Sequence, residues 1–299
     1  MKLPDLNELL VMRGASRSMS LRAQSPARAL LLGSHRSAHR GRGLEFEEVR
    51  PYVPGDDIRS IDWRVTARRG RVHTKLFREE RERPVWLLVD LHPAMFFGSR
   101  MQLKSMVAVR AAALLAWVAE QGGDRIGAVI TNGIVTRISP PRSRQAGVLP
   151  VLNNLIELQP VAPGKVAPAS LQTALQALLP MVHPGSLVLV LSDFADEHAV
   201  QSPLWSALSA HSECRWCWIA DALEQHALPN GHYRAGQPDK VVAVDGAQVR
   251  DPWLRAWQQR ETRIKAAAQS LRIALLQLDT GQSVATALQA TLHAREFAA

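Results

Sequence analysis

The sequence predicts an α/β fold: a mainly parallel sheet with helices on both faces, preceded by a basic N-terminal arm and a segment of turns and short strands. Three observations carry this. Residues 85–89, and 187–191 within the strand candidate 186–192, are continuously apolar rather than alternating, as strands covered on both faces must be. Helix-length segments separate successive strand candidates, the spacing that crossovers between parallel strands require. Within those segments apolar residues recur at helical period, as Leu103, Val107, Ala111, Leu114 and Val118 do.

Taken in order, residues 1–40 form the basic arm, with short helical or irregular segments at about 4–13 and 26–32. Residues 1–83 hold 18 Lys and Arg against 11 Asp and Glu, so they carry most of the net charge of +9. No acid falls between Leu9 and Leu44, while seven arginines do. Such an arm is drawn to anionic partners, and its lack of interleaved aromatics argues against a single-strand stacking platform. A solvated arm docking on an acidic protein surface is the expectation. His35 and His39 lie four apart in it with no acid nearby, and read as solvated. No apolar run reaches the ~20 residues of a membrane helix, and Asp5 and Glu8 interrupt any signal-peptide pattern. The expected location is cytoplasmic.

Residues 41–83 are dense in acids, arginines and turn signals. Pro54-Gly55 has the chemistry of a type II turn, and Asp56 or Asp57 is placed to cap a short helical turn after it. Arg59 and Asp62 are spaced to pair beside Trp63, residues 67–71 read as a hairpin turn, and 73–78 as extended chain. A partly buried charge network against Trp63 is expected.

From residue 84 strand and helix alternate. Strands are expected at 85–89, 125–131, 134–138 after an Asn132-Gly133 turn, 186–192, 213–220 and 273–278. Helices are expected at 100–121, ended by Gly122-Gly123, and at 143–158, 170–182, 204–211 and 283–294. Residues 240–249 read as a hairpin about Asp245-Gly246. A helix then starts at Asp251, with Trp253, Trp257, Ile264, Ala268 and Leu271 on one face. Cys214 and Cys217 are spaced C-x-x-C, but on a strand they point to opposite faces and read as structural thiols.

The order Glu45-Phe46, Arg50, Tyr52, Pro54-Gly55-Asp56-Asp57, Arg59, Ile61-Asp62-Trp63, Ala67-Arg68 and Glu79-Glu80 resembles the signature of domain-of-unknown-function family 58. These are bacterial proteins associated with MoxR-type AAA+ ATPases. The resemblance implies a von Willebrand factor type A-like, Rossmann-type domain over 84–297 and an ATPase of that type as partner. It implies no enzymatic reaction. It makes Arg50, Tyr52, Gly55, Asp56, Asp57, Arg59, Asp62, Trp63 and Arg68 the partner-binding or signature residues.

Asp90 and Asp193 close two expected strands, at the edge where open α/β sheets bind ligands. Type A domains build a magnesium site there from D-x-S-x-S and a threonine. This chain has Asp90-Leu91-His92-Pro93-Ala94, with Ala169 at the threonine position and Ser170 beside it, so the site is degenerate. No cofactor is expected; Mg2+ or another divalent cation on Asp90 and Asp193 is the alternative. The two aspartates are expected to bond to loop backbone or to Arg59 or Arg68. No Gly-x-Ser-x-Gly, P-loop or dinucleotide fingerprint occurs. The expected function is a non-enzymatic protein-interaction module, an adaptor for the ATPase in chaperone-like assembly or activation of complexes. The alternatives are a metal-dependent hydrolase using Asp90, His92 and Asp193, and nucleic-acid binding through the arm.

Overall fold

A computed structural model of the chain describes residues 2–21, 44–54, 56–79, 82–165, 167, 170–237 and 240–294. The expected segment at 26–32, His35, His39, Gly55, Glu80, Ala169 and the arginines of the arm beyond Leu21 lie outside the described residues. The chain forms two compact units, Met1–Gly33 with Arg83–Ala299, and Ser34–Glu82.

The start of the chain departs from the expected solvated arm. Residues 2–21 belong to the larger unit, because Leu9, Met19 and Leu21 are buried in its core. Helix α1 (Leu6–Val11) is capped by Asp5, which accepts the Glu8 N–H, and α2 (Arg13–Ser16) follows. The Leu9 carbonyl accepts the Trp117 indole N–H at 2.8 Å. Arg13 lies 5.2 Å over the Trp117 ring and pairs with Glu120 at 3.0 Å, and Arg110 pairs with Glu8 at 2.6 Å. Arg13 thus has its acid within the fold.

In the smaller unit, β1 (Leu44–Pro51) pairs antiparallel with β2 (His73–Glu79). The Asp56 N–H donates to the Val53 carbonyl at 3.0 Å, closing a turn. Asp57 accepts the Arg59 N–H and starts a 3-10 turn, Ile58–Ser60. Helix α3 (Trp63–Arg69) takes in the first part of the stretch 67–71 expected to be a hairpin turn. Asp62 caps it by accepting the Arg64 and Val65 N–H groups, and Gly70 ends it at φ +66°, where a side chain would be strained. With Asp62 so placed, its second oxygen meets Lys75 at 3.5 Å, and the expected Arg59–Asp62 pair does not form.

The larger unit is built on a six-stranded sheet in the order β10-β7-β6-β3-β4-β5. These strands are β3 (Pro84–Asp90), β4 (Arg125–Thr131), β5 (Thr136–Ser143), β6 (Leu187–Ser192), β7 (Glu213–Ala220) and β10 (Ala274–Asp279). All neighbours are parallel except β5, which runs antiparallel to β4 at the sheet's edge. It contains Pro140 and Pro141, at a register shift opposite Gly127. Between β7 and β10 a separate ribbon pairs β8 (His232–Gln237) with β9 (Lys240–Asp245). Asp245-Gly246 is therefore no hairpin turn. Asp245 caps a helix that begins at Gly246, five residues before its expected start.

Helices cover both faces. Alternate strand residues, such as Val85, Leu87 and Val89, face the core made with α4 (Lys104–Gln121), α5 (Gln145–Leu158) and α11 (Val284–Ala294). The intervening residues, Trp86 and Leu88 among them, face the core made with α6 (Ser170–Leu178), α7 (Glu197–Val200), α8 (Leu204–Ser209) and α10 (Gly246–Ser270). Cys217 lies in the first core and Cys214 in the second, as strand geometry requires. Among the described residues no helix is long and apolar enough to cross a membrane.

Candidate functional site

Four of the five parallel strands end on acids, β4 closing on Thr131 instead. Asp90 closes β3, Asp193 follows β6, Asp221 follows β7, and Asp279 closes β10. Asp90, Asp193 and Asp221 are each at most 3% exposed, so each must find donors within the protein.

Asp90 finds hydroxyls. Ser170, at the first position of α6, donates to its Oδ1 at 2.9 Å, and Ser192 donates to its Oδ2 at 3.1 Å. Burial still raises its carboxyl above the usual range, against the opposing charge of His92. Asp193 finds cations. Lys104 Nζ donates to Oδ2 at 2.7 Å, His92 Nε2 donates to Oδ1 at 3.2 Å, and the Ala195 N–H donates to Oδ1 at 3.0 Å. Arg260 donates to the Asp193 carbonyl oxygen. Burial alone would raise the Asp193 carboxyl, but Lys104, then His92 and Arg260, hold it well below 3.8. Within the larger unit the partners of the two aspartates are thus Ser170, Ser192, His92, Lys104 and Arg260, together with the expected loop backbone at the Ala195 N–H.

Lys104 is the centre of the cluster. As the first residue of α4 it sits where a helix repels positive charge. Its side chain is 4% exposed and bridges Asp193 and Glu224, reaching Glu224 Oε1 at 2.9 Å. Burial works to neutralise the amine, yet the two carboxylates keep it charged and raise its pKa above 10.5. Arg260, from α10, approaches the same Glu224 oxygen at 3.5 Å. Glu224 is held by a capping box on α9 (Ala222–His226), in which its Oε2 accepts the Asp221 N–H at 3.0 Å. Asp221 in turn accepts from the Ser99 N–H and hydroxyl at 2.8 and 2.6 Å. Lys104 and Arg260 thus stand against the carboxylates of Asp193 and Glu224.

This arrangement does not fit a divalent metal. The place between Asp193 Oδ2 and Glu224 Oε1 is filled by an ammonium, and both Asp90 oxygens are committed to serine hydroxyls. His92 is 1% exposed, and its Nδ1 is buried without a hydrogen-bond partner among the described residues. A pocket of about 390 Å³ opens beside the cluster, walled by Val249, Pro252, Trp253 and Trp257. Its polar lining, Glu224 and Arg260, is already paired across 3.5 Å, so the pocket is an apolar slot.

The signature residues divide by role. Arg50 pairs with Asp56 at 2.7 Å, and the Tyr52 N–H donates to Val72, so these hold the smaller unit together. Asp57 and Asp62 are caps. Arg59, Trp63 and Arg68 do none of this. Trp63 is 67% exposed, Ile58 equally so, and Arg59, Arg64 and Arg68 are exposed with no ion pair among the described residues. The expected burial of charges against Trp63 is not what the structure has: the tryptophan faces outward on a basic surface. The sequence reading brought out Asp90, His92 and Asp193, which the fold gathers. It missed Asp221, although Trp218-Ile-Ala-Asp221 repeats the pattern of an apolar strand closing on aspartate. It also missed Lys104, Glu224 and Arg260, which come from three separate helices.

The fold and site define an α/β protein whose strand-end charges are sealed against one another. The chain belongs to a family described as protein of unknown function DUF58, whose model matches residues 48–277. Uncharacterized proteins of Mycobacterium bovis and Mycobacterium tuberculosis are 32% identical to it over 197 residues, 66% of this chain. That stretch spans 62% of those relatives' length. Among solved structures, the conserved hypothetical protein BatB from Bacteroides thetaiotaomicron aligns at a TM-score of 0.47 and 12% identity, covering 72% of this chain and 99% of its own.

Proposed function

We propose that this chain is a non-enzymatic interaction module whose smaller unit docks an acidic, partly apolar protein surface through Trp63, Ile58 and the arginines around them. The observation that carries this reading is the exposed Trp63, flanked in sequence by Arg59, Arg64 and Arg68, which have no pairing acid among the described residues. An isolated exposed leucine means little, but tryptophan and arginine are the side chains most often found at the energetic centre of interfaces. The basic surface selects an acidic partner and speeds encounter with it. Nucleic acid is a poorer match, since the aliphatic Ile58 and Val72 have nothing to pack against on a phosphate backbone.

The sealed strand-end cluster supports the same conclusion from the other side. A catalytic base needs reach to a substrate proton, whereas Asp90, His92 and Asp193 are at most 3% exposed and bonded to neighbours. On our reading the larger unit is a von Willebrand factor type A-like scaffold, and the partner is a MoxR-type AAA+ ATPase. The test is binding of purified ATPase to the whole chain. Trp63→Ala and Arg68→Glu should each weaken it about tenfold or more without moving the melting temperature. Unchanged binding by both variants would place the interface elsewhere, and loss of binding on adding competing DNA would favour the nucleic-acid reading. Asp57→Ala is a poor probe, because Asp57 caps a turn.

A further inference from the structure

We infer that the Lys104 ammonium is the resident cation of the strand-end site, standing where a divalent ion would bridge the carboxylates and making the rim's shape independent of metal. This rests on the geometry of the larger unit alone and is independent of which partner docks on the smaller one.

Four features of the cluster carry it. First, Nζ contacts one oxygen from each of two carboxylates, Asp193 and Glu224, at 2.7 and 2.9 Å. These oxygens converge on one point although they come from segments following different strands. Second, the lysine stands against local preference. It opens a helix whose first turn holds no acid, so the dipole opposes it and only distant residues hold it there. Third, its surroundings are as closed as those of a bound ion, with the Phe97 ring 5.8 Å from Nζ. Fourth, the remaining carboxylate oxygens are already committed: those of Asp90 accept from Ser170 and Ser192, and the other Asp193 oxygen accepts from His92 and the Ala195 N–H. An arriving divalent ion would have to displace a paired ammonium and sit beside Arg260.

The ammonium also does a metal's structural work. It ties α4, the loop after β6, and α9 at a single atom, and Arg260 joins α10 to the same carboxylates. A rim held by a metal can be switched by gain or loss of the ion. A rim held by lysine cannot, and it presents one fixed surface at any metal concentration.

The experiment measures melting of the whole chain in EDTA, 5 mM Mg2+ and 5 mM Mn2+ (about the concentration at which weak oxygen sites fill), together with Mn2+ titration by calorimetry. Wild type should melt at one temperature in all three and show no saturable binding. Lys104→Met keeps the stem and removes the charge; it should melt about 5–15 °C lower, since two buried carboxylates lose their shared counter-charge. Lys104→Ser leaves room and adds a hydroxyl, and should bind Mn2+ saturably and melt higher with it. Where the serine variant fails to fold in EDTA, folding restored by Mn2+ supports the inference and folding not restored overturns it. Saturable Mn2+ binding by wild type overturns it without any variant. So does a Lys104→Met chain that melts like wild type, or a folded Lys104→Ser chain that ignores the ion.

Discussion

The Ser170 hydroxyl donates to Asp90 Oδ1 at 2.9 Å, joining the first turn of α6 to the end of β3. Ser170→Ala leaves a buried carboxylate oxygen short of a donor, which costs ~1–3 kcal/mol. A drop of several degrees in melting temperature is expected, with native secondary structure kept in circular dichroism.

Stability against pH follows from the same cluster. Asp193 is held below 3.8 in the folded chain, so its contribution is complete above that pH and is lost as pH falls through the folded value. Lys104 is held above 10.5, so its contribution is complete below that pH and is lost as pH rises through the folded value. Asp90, raised by burial, acts in the opposite sense to Asp193 and softens the acid limb. Urea midpoints measured across the pH range should fall below the lower limit and above the upper one, and step down between them as Asp90 and His92, both raised in the folded chain, lose their protons. Asp193→Asn should flatten the acid limb.

Two tryptophans should part company. Trp216 is buried between Phe194 and Trp205, with ring centroids 4.8 and 5.0 Å away. Trp216→Ala should cost ~3–5 kcal/mol, read as a shifted denaturant midpoint. Trp63→Ala should cost under ~0.5 kcal/mol, since the ring touches little of its own fold.

Gly246 opens α10 with the Pro229 carbonyl pressed where a side chain would begin. A Cβ built there lies 2.1 Å from that backbone oxygen. Gly246→Ala must push the strand–helix junction apart and should cost ~1–3 kcal/mol, the ordinary penalty for overpacking. Limited proteolysis near Pro229 should quicken in step.

Much of the larger unit was legible because its signals are local. The apolar runs of β3 and β6 and the helical-period face of α4 are each visible within a single short stretch of chain. Asp90 and Asp193 were legible for the same reason, as acids ending apolar strands. Lys104 was not, because its partners lie 89 and 120 residues away and nothing nearby marks a lysine that opens an apolar helix as buried. Asp245-Gly246 misled because the pair that favours a hairpin turn also suits a helix start: aspartate caps and glycine yields space. In the smaller unit residues 67–71 read as a turn by their arginines and Gly70. The cap on Arg64 and Val65 makes the chain up to Arg69 a helix instead, and turns Trp63 outward.

The outermost strand, β5, carries two adjacent residues that have no amide hydrogen, Pro140 and Pro141. A neighbouring copy offering its own backbone there meets a broken row of donors. Fibril-like elongation is blocked on that flank, so a chain crowded into a large assembly can be gripped by its side chains without its sheet being continued by whatever lies beside it.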